Sequence, residues 1–254
     1  MTPPPCILCI GGHDPTGGAG IQADIETIGA LGGRALTLVT ALTVQDTSNV
    51  RGVLPTPPDF FAEQATTLLR DLQPDAIKLG MLGDAALLPT LSELLAGFGG
   101  PVVLDPVLAA GGGYDLDRGG LTGRLHPLLR HVTLLTPNRA EARRLGGDPT
   151  LTTAIGNLLK AGTGAILVTG ADEADGDQVI NQLYGATPEP SLFRWPRLPH
   201  SYHGSGCTLA SACAVRLALG DGLVAAVEAA QGFTWRALEQ AQRPGRGQAL
   251  PWRR

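Results

Sequence analysis

An α/β fold in three layers, with a mostly parallel central sheet between two layers of helices, is predicted from three observations. Short apolar runs alternate along the chain with longer amphipathic segments, the order typical of β-α-β proteins. The apolar runs are not interrupted by polar residues, as expected of strands buried on both sides. Glycine, at 35 of 254 residues, collects where the predicted strands end. In an open parallel sheet, these ends border the ligand crevice.

The apolar runs are predicted as strands. The last two are separated by turn residues and predict a hairpin at one edge of the sheet. The predicted strands are Cys6–Ile10, Leu36–Val44, Ala76–Leu79, Val102–Leu108, Val132–Thr136, Ala165–Thr169, Val179–Tyr184 and Leu192–Trp195.

The amphipathic segments are predicted as helices. No internal repeat, low-complexity segment or long linker divides the sequence, so we expect residues 1–254 to form a single domain. The predicted helices are Ile21–Leu31, Pro58–Leu72, Ala85–Phe98, Leu121–Leu129, Arg139–Leu145, Thr152–Lys160, Thr208–Leu219 and Leu223–Gln240.

Composition limits the classes of partner. Hydrophobic residues make up 43% and charged residues 17%, which argues against disorder. The net charge of -4 and the lack of a basic run argue against nucleic acid or an anionic membrane as a partner. No apolar stretch approaches the ~20 residues of a membrane span, and no secretory signal is visible, so we expect a cytoplasmic protein. Cys6 and Cys9 lie within a predicted buried strand, which favours packing over a metal or redox site.

The strongest motif is Gly204-Ser205-Gly206-Cys207, which opens directly into a predicted helix of small residues. The first turn of a helix carries unpaired N–H groups and partial positive charge, and glycines let these amides approach an oxyanion. The motif therefore predicts a phosphate cradle. The same helix start is expected to lower the pKa of the Cys207 thiol, which would accept a proton from a substrate hydroxyl. The alternative is a glycine turn that allows close packing, with Cys207 as a small filler.

A second glycine-rich segment follows the first predicted strand and precedes the first helix, where a substrate loop is expected. From Gly12, four residues lead to Gly17, but Gly18 stands where a Walker A loop needs lysine, so a P-loop is rejected. Asp14 and Asp24 flank this segment. Each is interpreted either as a site residue or as an ordinary turn or helix-face charge.

Asn138 and Glu141 follow the strand predicted to end at Thr136. They are typical of a helix start, as an N-cap and a first-turn acid. The functional interpretation is an oxygen-ligand site that holds Mg²⁺ through water beside a nucleotide. Asp105, at the end of an apolar strand, is interpreted as facing the same crevice, because a charged residue there is not typical of a core.

Gln45 and Met81, at the ends of two predicted strands, suggest a pocket for a ring. Gln45 ends the second strand, and its amide offers both a donor and an acceptor to the edge of a heteroaromatic ring. Met81 follows another strand and packs either on that ring or in the core. Lys78, inside the same apolar strand, needs a partner or an anion.

Together these motifs resemble the hydroxymethylpyrimidine/phosphomethylpyrimidine kinases of thiamine biosynthesis. These kinases belong to the ribokinase-like superfamily, which also includes pyridoxal and sugar kinases. The resemblance runs in order from about residue 7 to about residue 220 and implies the three-layer ribokinase-like fold. The motifs are GHDPTGGAGIQAD at 12–24, ALTVQDT at 41–47, KLGML at 78–82, LDPVL at 104–108, TPNRAEA at 136–142 and HGSGCTL at 203–209.

The resemblance implies ATP-dependent phosphorylation of 4-amino-5-hydroxymethyl-2-methylpyrimidine and then of its monophosphate, with ATP and Mg²⁺ required and a homodimer expected. It implies that Cys207 takes the place of the aspartate base of sugar kinases. The implied roles are substrate binding by Gln45, Gly20, Met81 and Asp24; the anion hole by Gly204, Ser205 and Gly206; nucleotide binding by Thr169, Gly170 and Asn138; and metal binding by Glu141, Asn138 and Asp105.

The sequence also departs from the family pattern. Gly111 and Gly112 stand where many members carry Lys or Thr and then Ser, and residues 169–172 replace a Lys-Gly-Gly-His segment. The missing lysine leaves open how the transferring phosphate is neutralised. Two alternatives are therefore kept: a pyridoxal kinase, which acts on another ring with a hydroxymethyl group, and a ligand-binding member of the fold without turnover.

Overall fold

A single nine-stranded sheet runs through the protein, in the order β3-β2-β1-β4-β5-β6-β7-β8-β9. The structure is a computed structural model that describes residues 3–108, 113–114, 116, 118–172 and 176–254. The strands are β1 (Cys6–His13), β2 (Arg34–Gln45), β3 (Val50–Pro55), β4 (Ala76–Leu79), β5 (Val102–Leu104), β6 (Leu134–Leu135), β7 (Ala165–Val168), β8 (Gln178–Tyr184) and β9 (Ser191–Pro196).

The centre of the sheet is parallel and both edges are antiparallel. β1 pairs with β2 on one side and β4 on the other, and the parallel order continues through β7. The predicted hairpin of β8 and β9 is confirmed. β3, which pairs antiparallel to β2, was not predicted, because Val50–Pro55 mixes exposed and half-buried positions and lacks an apolar run. Since the chain leaves β1 for β2 and later crosses back to β4, the loops after β1 and β4 diverge and open a crevice.

Helices cover both faces of the sheet and so confirm the three-layer fold class. α1, α8 and α9 cover one face, and α2 to α7 cover the other. The helices are α1 (Gly20–Ala30), α2 (Pro58–Asp71), α3 (Leu88–Ala96), α4 (Leu121–Arg124), α5 (His126–Leu129), α6 (Arg139–Gly146), α7 (Leu151–Lys160), α8 (Ser205–Ala218) and α9 (Leu223–Glu239).

Helix starts follow local sequence signals. Pro58 begins α2, where its missing N–H costs nothing. The side chain of Asn138 caps α6 and Glu141 reciprocates, which confirms the predicted N-cap. Two predicted helices are each divided: Ala85–Phe98 begins as a 3₁₀ turn before α3, and Leu121–Leu129 becomes α4 and α5, with a proline in the first turn of α5.

Two predicted strands are shorter than expected. The run Val102–Leu108 pairs only as β5, and Pro106, which lacks an N–H group, cannot extend the ladder. Only Leu134 and Leu135 of the run Val132–Thr136 form β6. These early strand ends leave the polar residues that follow at the edge of the crevice.

Apolar side chains alternate between two cores, one on each face of the sheet. Ile7 and Cys9 of β1 face the α1/α8/α9 layer, whereas Leu8 and Ile10 face the other layer. Cys6 packs against that second core, so Cys6 and Cys9 lie on opposite faces, and both are free thiols. In the described part of the chain, no helix is both long and apolar enough to cross a bilayer.

A buried ion pair links the sheet to the α1/α8 layer. Lys78 Nζ lies 2.8 Å from Asp24 Oδ1 and 3.0 Å from Oδ2, and Ser211 Oγ donates to Asp24 Oδ1 at 2.7 Å. Burial alone would lower the pKa of Lys78, but the negative charge of Asp24, with a smaller effect of Asp105, raises it above its usual value. The ammonium group is therefore charged, with 1% of its side chain exposed.

Replacing Lys78 with methionine should lower the free energy of unfolding by about 3–5 kcal/mol, because it leaves the Asp24 carboxylate buried without a counter-charge. The double variant Lys78→Met with Asp24→Leu should recover most of this loss. Urea unfolding of both variants, with exposed Lys160→Met as the matched control, is the measurement. A cost below about 1 kcal/mol for the single variant would contradict the structural role.

Candidate active site

A cavity of about 650 Å³ opens at the carboxyl ends of the parallel strands. We refer to it as the strand-end cavity. It gathers residues from the loops after β1, β2, β4, β5, β6 and β7 together with the start of α8. The predicted site residues that line it are Gly20, Gln45, Met81, Asp105, Asn138, Glu141, Thr169, Gly204, Ser205, Gly206 and Cys207.

The start of α8 forms one wall. We call Gly204–Cys207 the Gly204 turn. Gly204 is the N-cap residue, with φ +80, and Thr208 is bonded through its N–H to the Gly204 carbonyl at 3.0 Å. The preceding N–H groups of the first turn have no intrahelical acceptor. Because Ser205, Gly206 and Cys207 line the cavity, these amides and the positive end of the helix dipole are available to an anion.

The loop between β1 and α1 forms the adjoining wall. We call residues 14–20 the glycine loop. Asp14 Oδ2 accepts hydrogen bonds from Ala19 N and Thr16 Oγ1 at 2.8 and 2.9 Å, and His203 Nε2 lies 2.8 Å away. Burial would raise the pKa of Asp14, but the bonds from His203 and Thr16 bring it below its usual value. The charged carboxylate thus joins the glycine loop to the Gly204 turn.

At Gly18 and Gly204 the two segments touch through backbone atoms. A Cβ atom at Gly204 would lie 1.9 Å from the carbonyl oxygen of Gly18. Gly20, with φ +60, is equally constrained, since its Cβ would lie 2.3 Å from the Gly12 carbonyl oxygen. Glycine is required at both positions by steric contact and by the left-handed backbone.

The pocket predicted for a ring lies at the end of β1 and β2. Thr43 Oγ1 donates to the His13 carbonyl at 2.9 Å and accepts from Gln45 Nε2 at 2.7 Å. These hydrogen bonds orient the Gln45 amide, because its NH₂ group points to Thr43 and its carbonyl oxygen therefore points away from Thr43. Met81 lies over Gly12, where a Cβ would come within 2.2 Å of the Met81 methyl group. The pocket therefore combines an oriented amide with an apolar, polarisable wall.

The predicted lowering of the Cys207 pKa is wrong. Burial raises the pKa of the Cys207 thiol to about 11, which the positive charge of Lys78 and a hydrogen bond from Gly20 N–H only partly oppose. The carboxylates of Asp105 and Asp24 add to the rise. The sequence shows that Cys207 lies at the start of a helix, but it does not show that distant segments pack around Cys207 and leave it only 9% exposed. The thiol is therefore protonated at neutral pH.

Two carboxyl groups lie on the side of the cavity towards β5 and β6. Burial raises the pKa of Asp105 to about 6, although Lys78 acts to lower it. Burial, followed by the charge of Asp105, raises the pKa of Glu141 to about 8. Asp105 Oδ2 is buried and has no hydrogen-bond partner among the described residues. Asn138 N donates to Glu141 Oε2 and Glu141 N donates to Asn138 Oδ1, both at 2.9 Å, so the helix cap also orients the carboxylate.

Of the two residues predicted on the nucleotide side beside β7, only Thr169 lines the cavity. Gly170 lies behind it, and its N–H donates to Asn181 Oδ1 at 3.0 Å. A Cβ at Gly170 would lie 2.3 Å from the Ile180 carbonyl oxygen, so this glycine serves strand packing. Gly170 is therefore buried and packed against β8, and its contact with a nucleotide stays a prediction.

Sequence reasoning missed the aromatic wall at this end of the cavity. Trp195 and Trp235 line it, with ring centroids 6.4 Å apart and an interplanar angle of 27°. Trp195 Nε1 donates to Gln231 Oε1 at 3.1 Å, and Asn181 Nδ2 donates to the same oxygen at 2.7 Å. These residues come from β8, β9 and α9, and no short motif in the sequence connects them.

Asp24 also departs from its predicted place. It is fully buried, and its carboxylate is bonded to Lys78 and Ser211 beneath the cavity. The predicted substrate contact is therefore replaced by a structural ion pair. Gly111 and Gly112 lie outside the described residues.

Solved structures assign this architecture to the ribokinase-like kinases. The chain is 28% identical to Staphylococcus aureus pyridoxal kinase in complex with AMP-PCP and pyridoxal, with a TM-score of 0.87 over 98% of this chain and 94% of that one. The fold and the strand-end cavity thus place the chain in the ribokinase-like class.

Sequence relatives narrow the family. The chain is 37% identical to the hydroxymethylpyrimidine/phosphomethylpyrimidine kinase of Streptomyces coelicolor, over 92% of this chain and 89% of the relative. It is 38% identical to the thiamine biosynthesis bifunctional protein ThiED of Geobacter sulfurreducens over 95% of this chain, but it spans only 50% of that longer protein. The family model described as phosphomethylpyrimidine kinase matches residues 14–252, and the chain belongs to this family.

Replacing Gly204 with alanine should lower the free energy of unfolding by about 2 kcal/mol or more, because the new Cβ meets the Gly18 carbonyl and the backbone is left-handed. Gly29→Ala is the matched control, since nothing lies within 4 Å of its Cβ position, and alanine favours the helix by about 0.5–1 kcal/mol. Denaturant titration measures both. Equal stabilities for the two variants would show that the contact between the two walls is not tight.

Proposed function

We propose that this chain is an ATP-dependent kinase that phosphorylates 4-amino-5-hydroxymethyl-2-methylpyrimidine and then its monophosphate, within thiamine biosynthesis. The observation that carries the proposal is one cavity that contains an oriented ring-edge amide, Gln45, and the amide-lined Gly204 turn with Cys207 beside it. The Gln45 carbonyl oxygen suits the exocyclic amino group of such a pyrimidine. The thiamine-kinase relatives support the same substrate class.

The residues on the β5–β6 side fit Mg²⁺. Asp105 has an unpartnered buried oxygen, and the charge of Asp105 raises the pKa of Glu141, so a divalent cation would relieve both. In the described part of the chain, no group of three or more His, Cys, Asp or Glu side chains is arranged around a metal position. Mg²⁺ commonly binds one or two carboxylates together with phosphates and water. Asp105 and Glu141 would hold it, with Asn138 orienting Glu141, and the ion would neutralise phosphate charge.

The side chains and backbone amides of the chain position the substrate and stabilise the charge on the transferred phosphoryl group. Gln45 and Met81 hold the ring so that its hydroxymethyl group points towards Cys207. The amides of the Gly204 turn stabilise the charge on the transferred phosphoryl group. The Cys207 thiol first loses its proton to solvent, at a cost that the positive charge of Lys78 lowers, and the thiolate then accepts the hydroxyl proton. Lys78 thus acts through the Cys207 thiolate, in a sequence where glycines stand in the loop that carries lysine in many family members.

The proposal is tested by ADP release with the pyrimidine alcohol and with its monophosphate as separate acceptors. We expect turnover on both, dependent on Mg²⁺. Nucleotide binding without ADP release on either acceptor would instead identify a ligand-binding member of the fold.

A pyridoxal kinase is the second candidate, favoured by the TM-score of 0.87 to the Staphylococcus aureus enzyme. Pyridoxal offers a hydroxymethyl group on a similar ring, but it lacks the amino group that suits the Gln45 oxygen. Pyridoxal in the same ADP-release assay separates the two candidates. A higher kcat/KM on pyridoxal than on the pyrimidine alcohol would favour this second candidate.

Three further proposals concern the protein as a whole. The continuous sheet supports a single domain over residues 1–254. An exposed apolar face on β2 and β3, where Leu42, Val44 and Leu54 are 52–67% exposed, supports a homodimer through this face. Four free thiols, all within the described residues, support a reducing, cytoplasmic location.

Cys207→Ala should slow the first phosphorylation roughly a hundredfold and leave the second within a few-fold, because an alcohol must lose its proton whereas a phosphate monoester is already ionised. Cys213→Ala, in the same helix but in the core, is the matched control. The kcat for each acceptor is the measurement. Equal losses in both reactions would refute the base role of Cys207.

A further inference from the structure

The side chain of Arg253 is buried where the glycine loop meets α8, and it does not line the strand-end cavity. Its side chain is only 1% exposed. Nε donates to Thr208 Oγ1 at 2.8 Å, Nη1 donates to Glu26 Oε2 at 3.0 Å, and Nη2 donates to the Gly18 carbonyl oxygen. One guanidinium group therefore contacts the glycine loop, α8 and α1 at once.

Two of these contacts lead to the Gly204 turn. Thr208 Oγ1, which accepts from Arg253 Nε, donates in turn to the Gly204 carbonyl at 2.8 Å, so Arg253 reaches the Gly204 turn through one hydroxyl. Arg253 Nη2 donates to the Gly18 carbonyl oxygen, the atom against which Gly204 packs. Arg253 is therefore bonded directly to Gly18 and, through Thr208, to Gly204.

Backbone hydrogen bonds fix the segment that carries Arg253. Trp252 N donates to the Ala237 carbonyl at 2.8 Å, which ties the segment to α9. Ala249 N donates to the Ser201 carbonyl at 3.0 Å, and His203 N donates to the Ala249 carbonyl at 2.9 Å. The segment therefore runs beside the residues that lead into the Gly204 turn, and the residue before Arg253 is fixed to α9.

The chemistry of the contacts requires arginine. A buried cation is costly unless its donors are satisfied, and here most of the acceptors are neutral oxygens. The single carboxylate, Glu26, is 55% exposed in its side chain, so ion pairing alone does not explain why the group is buried. A planar guanidinium bonds several oxygens in fixed directions, whereas a lysine ammonium on a flexible stem does not reproduce this fork.

We propose that Arg253 is a positioning residue for phosphoryl transfer, which sets the separation between the glycine loop and the Gly204 turn. This inference rests on the kinase function proposed above. Since the Gly204 turn serves the alcohol and the phosphate acceptor alike, loss of Arg253 affects both reactions. This pattern differs from the expected effect of Cys207, which concerns only the alcohol.

The test uses Arg253→Lys, which keeps the charge and most of the volume, with neighbouring Arg254→Ala as the control. Arg254 is exposed and stacks on Trp252, 4.5 Å from the ring centroid. We expect Arg253→Lys to retain its cooperative unfolding transition, to lose roughly tenfold or more in kcat for both acceptors, and to keep KM for each within a few-fold. Arg254→Ala should match the unmodified protein. A folded Arg253→Lys with unchanged kcat on both acceptors would overturn the proposal.

A second readout does not depend on the substrate. Hydrogen–deuterium exchange should be faster in peptides covering residues 14–20 and 204–208 of Arg253→Lys than in the unmodified protein, and unchanged in peptides from α3. If the unmodified protein has no kinase activity, the proposed function fails, and this exchange pattern still decides the positioning role. Unchanged exchange in both segments would refute that role.

Discussion

Gly204 packs directly on the carbonyl of Gly18, and this contact between two bare backbone segments organises the acceptor end of the molecule. The segments come from opposite ends of the sequence, and the Asp14 carboxylate and the Arg253 guanidinium hold them together from either side. With no side chain between them, the first-turn amides of α8 can border the same cavity as Gly20. Any residue with a Cβ at Gly204 would separate the walls and redirect these amides.

Positive and negative side chains lie on different sides of the cavity next to this contact. The positive group, Lys78, lies beneath the cavity and is held by Asp24, so its charge does not depend on a ligand. Asp105 and Glu141 lie to one side, where burial raises the pKa of each carboxyl and their proximity adds to that of Glu141. The positive charge of Lys78 is therefore held in place by the protein itself. On the acidic side, a bound cation would favour the charged form of both carboxyl groups, above all that of Glu141.

The cavity also explains why two vitamin-kinase classes resemble this chain. The architecture closely matches a pyridoxal kinase, whereas the sequence relatives act in thiamine biosynthesis. Both classes act on a hydroxymethyl group carried by a flat nitrogen ring, so under the proposed function the amides of the Gly204 turn would serve either. The same proposal assigns discrimination between the two rings to Gln45, whose amide is oriented by the Thr43 hydroxyl. A shared fold leaves the choice of substrate to the site.

The sequence by itself determined the three-layer class, the order along the chain of the helices and of every strand except β3, and eleven of the residues that line the cavity. These depend on local signals: apolar runs, glycines at strand ends, the Asn138 cap and contiguous motifs such as the Gly204 turn. Only the tertiary structure decided the raised pKa of Cys207, the burial of Asp24 and Gly170 away from the cavity, and the positions of Trp195 and Arg253. Burial and long-range pairing set these features, and they depend on which distant segments meet. The residues next to a given position in the sequence do not indicate which distant segments will pack against it.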